Sequence, residues 1–347
     1  MEDWQINVRN WGTAPDLPDI LPKKGERILT YGEAIYEATK ISMNRYSDLY
    51  ILGEGANDKG GIYGTTKDLY KIFGENRVFD MPIAEELITG IGLGIAIGGK
   101  RAIVIHPRQD FVLVCMNQLI NHVFKWKFSL GLNKPIKFLL RTIASRGWGS
   151  GAQHAQDIHS VIAHFPGAYV LVPFTPYDVK GFILWALEEA EEPVVILEHR
   201  WLYKVKGYVK EGFYTCIPDR AQIIKEGNDI TLIGISYGVF DALLTSIELE
   251  KYGISAEIID LRSLRPCNLE AIFSSLEKTK RLVVIDTGHL FISIASEIFA
   301  QVLEEGINLI SKPLRYGLPD MPTPAFDERK YYPNYKEIAK DIIKCVC

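Results

Sequence analysis

Three short stretches hold the side chains best suited to chemistry. The first is "MPIAEELITGIGLGIAIGGK", residues 81–100, where Glu85 and Glu86 head an otherwise apolar, glycine-rich segment. Pro82 suits a first helical turn, and a carboxylate near a helix N-terminus gains about 0.3–1 kcal/mol from the helix dipole. An acid in an apolar setting has a second use: burial raises a carboxyl pKa, which poises it for proton exchange near neutrality. The second stretch is "RGWGSGAQHAQDIHSVIAHFPG", residues 146–167. Gly147, Gly149 and Gly151 precede His154, and His159 and His164 follow at five-residue intervals. The glycines suggest a loop whose backbone comes close to a ligand. A spacing of five turns successive histidines away from one another on a helix, which argues against a metal site. His154, flanked by Gln153 and Gln156, is the functional candidate; His164 reads as a core or capping residue, and His159 is open. The third stretch is "IHPRQDF", residues 105–111, directly after a strand-like run. Ligands of open α/β sheets bind at the carboxyl ends of strands. His106 or Phe111 could touch a ring there, although Phe111 can equally start a core helix.

The elements that must position these residues alternate along the chain. Helical patterns cover 32–46, the segment opened by Pro82, 111–128 and 177–190; continuous apolar runs cover 48–52, 101–105, 136–141, 168–172 and 194–198. Such runs between helices predict a parallel sheet covered on both faces. After a polar linker, 204–228, a second alternating unit follows, with strands at 230–235, 256–260 and 281–286 and helices at 239–252, 269–276 and 291–305. The expected architecture is α/β, with two doubly wound sheet domains: an arm over 1–26, a first domain over 27–203, the linker, and a second domain over 229–347. Gly90, Gly94 and Gly98 fall at four-residue spacing and would give one smooth helix face for close packing.

Bulk properties narrow the function classes. The 347 residues are 47% hydrophobic and 24% charged with a net charge of −4, so nucleic acid is not an expected partner. The longest apolar run, 87–99, is shorter than the roughly 20 residues that cross a membrane. A polar N-terminal stretch and five scattered cysteines (Cys115, Cys216, Cys267, Cys345, Cys347) fit a reducing cytoplasm. Cys345 and Cys347 lack the histidines or further cysteines of a metal site. "GEGANDKGG" (53–61) matches neither the dinucleotide fingerprint nor the phosphate-binding loop.

Taken together, the stretches "LGEGANDKGGIYGTTKDLYKIFGENRVFDMPIAEELITGIGLGIAIGGKR", "GAQHAQDIHSVIAHFPGAYVLVPFTPYDVKGFILWALEEAEEPVVILEHRWLY", "EIIDLRSLRPCNLEAIFSSLEKTKRLVVIDTGH" and "LPDMPTPAF" resemble the β subunit of thiamine-diphosphate-dependent 2-oxoacid dehydrogenases, within the transketolase-like group. The resemblance covers about Arg27 to the C-terminus. It implies that Glu85 hydrogen-bonds a ring nitrogen of the cofactor's aminopyrimidine and shares a proton with it. Glu86, about 100° further round the helix, is then solvated or a cap. The resemblance also implies that Phe111 stacks on the aminopyrimidine, that Glu54 contacts the cofactor, and that His154 stands near the reacting carbon as proton donor or acyl-transfer helper. Gly90, Gly94 and Gly98 fall where the family packs subunits closely.

The family's diphosphate and magnesium motif, G-D-G followed by an asparagine, does not occur in this sequence. The resemblance therefore implies an α subunit that holds Mg²⁺ and the diphosphate in an α₂β₂ assembly, and a lipoyl acyltransferase as a further partner for a 2-oxoacid substrate. Two departures stand out. Where β subunits usually read "EFMTFNF" or "EIQFADY", this chain has "IHPRQDF", and the Asp-x-Asn of a potassium site is "AEEP". His106, Arg108 and Gln153 become substrate-pocket candidates. They leave open a second activity for the same cofactor, transfer of an acyl or two-carbon unit to a sugar-like acceptor. Retention of Glu85, Phe111 and His154 together speaks against a silent scaffold.

Overall fold

Runs of aliphatic residues that never alternate with polar ones can only be strands if both sheet faces are covered. The computed structural model describes residues 27–145 and 147–346. The arm expected over 1–26, and Cys347, lie outside the described residues. The chain divides into two units, one from the described residues up to 145 plus 161–217, the other from 147–160 plus 218–346.

The first unit holds β1 (Ile28–Thr30), α1 (Tyr31–Arg45), β2 (Leu49–Gly53), α2 (Leu69–Phe73), β3 (Val78–Asp80), α3 (Glu85–Ile97), β4 (Arg101–His106) and β5 (Phe138–Ala144). After α4 (His159–His164) come β6 (Tyr169–Leu171), α5 (Pro176–Glu188), β7 (Val194–His199) and β8 (Lys206–Tyr208). Its strands run in the order β6-β7-β5-β4-β2-β3, all parallel. The order reverses at β2, which has β3 on one side and β4 on the other. That is the switch point where parallel sheets open a crevice. Register brings three strand ends level there, because Gly53 pairs with both Asp80 and Ile105. Helix α1 starts at a capping box, in which Thr30 and Glu33 satisfy each other's backbone N–H groups. Helix α3 lies close on the sheet: a Cβ at Gly92 would overlap Val104 Cγ2 and reach Phe138 Cε2 at 3.0 Å. Inside the core, Arg141 and Glu198 form a fully buried pair at 2.5 Å, to which the Tyr203 hydroxyl adds a short hydrogen bond.

The second unit holds β9 (Gln222–Lys225), β10 (Ile230–Gly234), α6 (Gly238–Glu250), β11 (Ala256–Asp260), α7 (Glu270–Thr279), β12 (Leu282–His289), α8 (Ile294–Glu304), β13 (Leu314–Leu318) and α9 (Tyr335–Val346). The strand order is β13-β12-β10-β11-β9, parallel except for β9. Both sheets match the α/β architecture expected from the apolar runs.

The polar 204–228 segment contributes β8, which pairs with β1, and β9, which closes the edge of the second sheet. One expectation needs correction. The α-helix expected over 111–128 is instead a 3₁₀ stretch (Gln109–Cys115), a π stretch (Asn117–Val123) and a single turn (Trp126–Ser129). The reason lies in the spacing. Gln109, Val112 and Cys115 are buried at intervals of three, and three residues per turn is the 3₁₀ period. Among the described residues no helix is long and apolar enough to cross a membrane, the four cysteines are free, and no group of three or more His, Cys, Asp or Glu could hold a metal ion.

Candidate active site

The switch point of the first sheet gathers acids. Gly53 ends β2, and Glu54 follows it into the crevice. Asp80 ends β3 and accepts a 2.7 Å hydrogen bond from the Gly55 N–H, which fixes the start of the loop. Beyond the end of β3, Met81 to Ala84 turn the chain into α3, whose first residue is Glu85. The Glu85 side chain faces inward and is 5% exposed, whereas Glu86 is exposed and accepts a 2.6 Å hydrogen bond from Gln118 Nε2. The opening pair is thus divided as the helical turn requires.

Glu54 and Glu85 meet: their side chains hydrogen-bond each other. Two carboxyls can do so only while sharing a proton. Burial, then the Glu85 charge and its hydrogen bond, then Asp80, push Glu54 up to about 7. Glu54 Oε1 is buried with no hydrogen-bond donor against it among the described residues. The pair therefore offers two facing carboxyls with a proton held near neutrality on Glu54, which fits an aminopyrimidine with its ring nitrogen and amino group.

One turn further along α3, Thr89 Oγ1 lies 2.9 Å from His106 Nε2 at the end of β4, with Cys115 Sγ at 3.7 Å. His106 is completely buried; burial pushes it down to about 3 and pushes Cys115 up to about 11. His106 is thus a neutral imidazole beneath α3, and a charged His106 gripping an anionic acceptor does not fit this environment. Arg108, half-exposed, begins the 3₁₀ stretch that carries the half-buried Phe111, and α3 packs against that stretch. Glu54 and Glu85 thus meet at the switch point, the Phe111 segment packs against the helix that carries Glu85, and His106 lies beneath that helix.

His154 and Gln153 belong to the second unit, His154 half-buried and Gln153 exposed. Gly147, Gly149 and Gly151 all take positive φ, as a glycine loop allows. The N–H groups of Gly147 and Gly149 donate to the two oxygens of buried Glu328 at 2.6 and 2.8 Å, and Tyr332 hydrogen-bonds the same carboxylate. Those amides are filled from within the unit. His164 is exposed, stacked edge-on to Phe165, rather than core. His159, left open by the sequence, is buried between Asp157 and Asp286 at 2.7 and 2.8 Å. Burial alone would lower its pKa, and the two carboxylates raise it well above the usual value. Glu328 and Asp286 lie more than a hundred residues from their partners, so no local spacing announces them.

The model of the transketolase pyrimidine-binding domain matches residues 28–206, and that of the transketolase C-terminal domain matches 219–338. The chain belongs to the transketolase-like family. This family is thiamine-diphosphate-dependent, and the crevice just described lies in its pyrimidine-binding domain. The acetoin:2,6-dichlorophenolindophenol oxidoreductase subunit beta of Bacillus subtilis is 37% identical over 311 residues, 86% of this chain and 91% of that protein. The pyruvate dehydrogenase E1 component subunit beta of Staphylococcus epidermidis is 34% identical, over 89% of this chain and 96% of that protein. The 2-oxoisovalerate dehydrogenase subunit beta of B. subtilis is 34% identical, over 85% and 90%. Among solved structures, a split-gene transketolase described as an inactive β4 tetramer superposes with a TM-score of 0.71 at 21% identity, covering 91% of this chain and 96% of that one. That likeness shows the transketolase-like fold.

Proposed function

We propose that this chain is the β subunit of a thiamine-diphosphate-dependent 2-oxoacid dehydrogenase, catalysing oxidative decarboxylation with acyl transfer to a lipoyl group. The observation that carries the reading is the Glu54–Glu85 carboxyl pair at the switch point of the pyrimidine-binding domain. The cofactor supplies the electron sink for carbon–carbon cleavage. Glu85 binds and holds a proton toward the aminopyrimidine ring. Glu54, poised at about 7, restores the proton that Glu85 gives up. Phe111 supplies a ring for stacking, and His154 serves as proton donor or acyl-transfer helper. Buried and neutral, His106 positions the first turns of α3 through Thr89, while Arg108 and Gln153 remain the substrate-facing candidates.

The domain boundaries proposed are 27–203 for the pyrimidine-binding domain and 229–347 for the C-terminal domain, with 204–228 connecting them. The partner is an α subunit bringing Mg²⁺ and the diphosphate grip, in an α₂β₂ enzyme of the cytoplasm that docks a lipoyl acyltransferase. The α3 surface supports a subunit partner: Gly90, Gly94 and Gly98 are exposed beside Leu87 and Ile91, which are 52% and 38% exposed.

A second reading has one observation in its favour, the 37% identity to a subunit of an acetoin oxidoreductase. Here the substrate is an α-hydroxyketone, cleaved without loss of CO₂. Co-expression with the α chain, followed by dye reduction over a panel of 2-oxoacids and acetoin, separates the two. Turnover with a 2-oxoacid and its loss in Glu85→Gln are expected; full turnover in Glu85→Gln overturns the cofactor assignment.

A further inference from the structure

The resemblance to 2-oxoacid dehydrogenase β subunits implies a potassium site whose Asp-x-Asn precedes a proline. Here Ala190 and Glu192 stand where the Asp and Asn would, before Pro193. The segment leaves the C-terminus of α5 and leads into β7. It lies at the amino ends of the first sheet's strands, the edge opposite the carboxyl ends that Glu54 and Asp80 occupy. A helix C-terminus leaves its last carbonyls without partners inside the helix, and the helix dipole favours a cation there. A bare K⁺ needs oxygen atoms to replace its water shell.

In this chain those oxygens already receive N–H groups. The Lys137 ammonium, half-buried, donates to the carbonyls of Glu188 and Ala190 at 2.8 and 2.7 Å. Arg101 Nε donates to the Leu187 carbonyl at 3.1 Å. The Ile136 and Tyr169 N–H groups donate to the carbonyls of Glu191 and Pro193 at 3.2 and 2.8 Å. The Glu192 carboxylate is held by Lys127 at 2.8 Å. Burial and then the Arg101 charge draw the Lys137 pKa below the usual lysine value, against Glu191 and Glu189. An added metal ion would thus have to displace a fixed ammonium and would meet positive charge as well. The residues present do not fit potassium.

An ammonium and K⁺ carry the same charge and are close in size. A tethered ammonium differs in that it cannot diffuse away. We infer that the Lys137 ammonium takes the place of the potassium ion, so that this chain needs no monovalent cation. The inference rests on the β-subunit reading only for where the ion would sit; its occupant is read from this chain's own contacts. Lys137 immediately precedes β5, and β5 pairs with β7. One side chain therefore ties the end of α5 and the turn into β7 to the neighbouring strand.

The test is the melting of the co-purified α/β assembly, loaded with thiamine diphosphate and Mg²⁺, in chlorides of K⁺, Na⁺, NH₄⁺ or N-methylglucamine at one ionic strength. Tm needs no substrate, so the outcome does not depend on the 2-oxoacid assignment. The parent should melt at the same temperature in all four salts. Lys137→Ala opens the seat and should melt about 3–8 °C lower in N-methylglucamine. K⁺ or NH₄⁺ should restore most of that loss. Lys137→Met removes the charge but fills the space, so its loss should not be repaired by any of the four. A parent Tm that K⁺ raises above the N-methylglucamine value overturns the inference, and that series needs no variant. An alanine loss that no cation repairs, or equal repair in both variants, overturns it too.

Discussion

The His159 imidazole is clamped between Asp157 and Asp286, with Nδ1 2.7 Å from one carboxylate and Nε2 2.8 Å from the other. The Thr287 hydroxyl donates to Asp157 at 2.6 Å and the Gly288 N–H to Asp286 at 2.9 Å, so the cluster ties the 147–160 segment to the end of β12. Its folded pKa is raised, so its stabilisation is complete below the unfolded value of about 6.5 and is lost only as pH climbs through the folded value. Removing the cation leaves two buried carboxylates facing each other. His159→Leu should cost about 3–5 kcal/mol in urea unfolding at pH 7, with the deficit shrinking at pH 4 as a carboxyl takes up a proton. An equal deficit at both values would rule out the charge argument.

Glu54 gives a pH signature of the same sign from an acid. Its folded value, about 7, lies above the ordinary carboxyl value, so its contribution is present at acid pH and falls away as pH rises through 7. Glu54→Gln has no proton to lose. Its Tm relative to the parent should therefore climb between pH 5 and pH 8, and a flat difference would show that Glu54 is not perturbed.

Glu85→Gln keeps the size of the side chain and removes the proton. Turnover of the α/β enzyme should fall by about 10²–10⁴, the range of positioned acid–base groups. Circular dichroism and Tm should stay near parental values, because Glu85 makes no ion pair among the described residues.

Packing is testable at Gly92, where a new methyl would overlap Val104 and press on Phe138. Both neighbours are in the central strands and cannot retreat. Gly92→Ala should destabilise by about 1–3 kcal/mol, the usual cost of overpacking, despite its better helix propensity.

The sheets were legible because continuous aliphatic runs such as "RAIVI" and "RLVVID" admit few other readings. Strands β1 and β3 were missed because "ILT" and "VFD" are cut short by polar or charged neighbours, whereas β6, equally short, lies inside the unbroken apolar run "AYVLV". The Glu54–Glu85 encounter depends on register between β2 and β3, which aligns Gly53 with Asp80. No spacing of 31 residues along a chain states that in advance, and only the family resemblance singled out both acids. Likewise His106 looked like a pocket group because it follows a strand; its ring turns under α3 instead, where Thr89 waits.

Gly90 and Gly94 stand in the middle of α3 with nothing within 4 Å of the place a methyl would occupy. Alanine at each would strengthen the helix by about 1 kcal/mol, and no contact of the described chain forbids it. The helix is therefore less firm than its own surroundings permit. A bare strip of backbone is an asset only to a neighbour that must come nearer than side chains allow, so a methyl there should leave the solitary polypeptide sturdier and the assembled enzyme weaker.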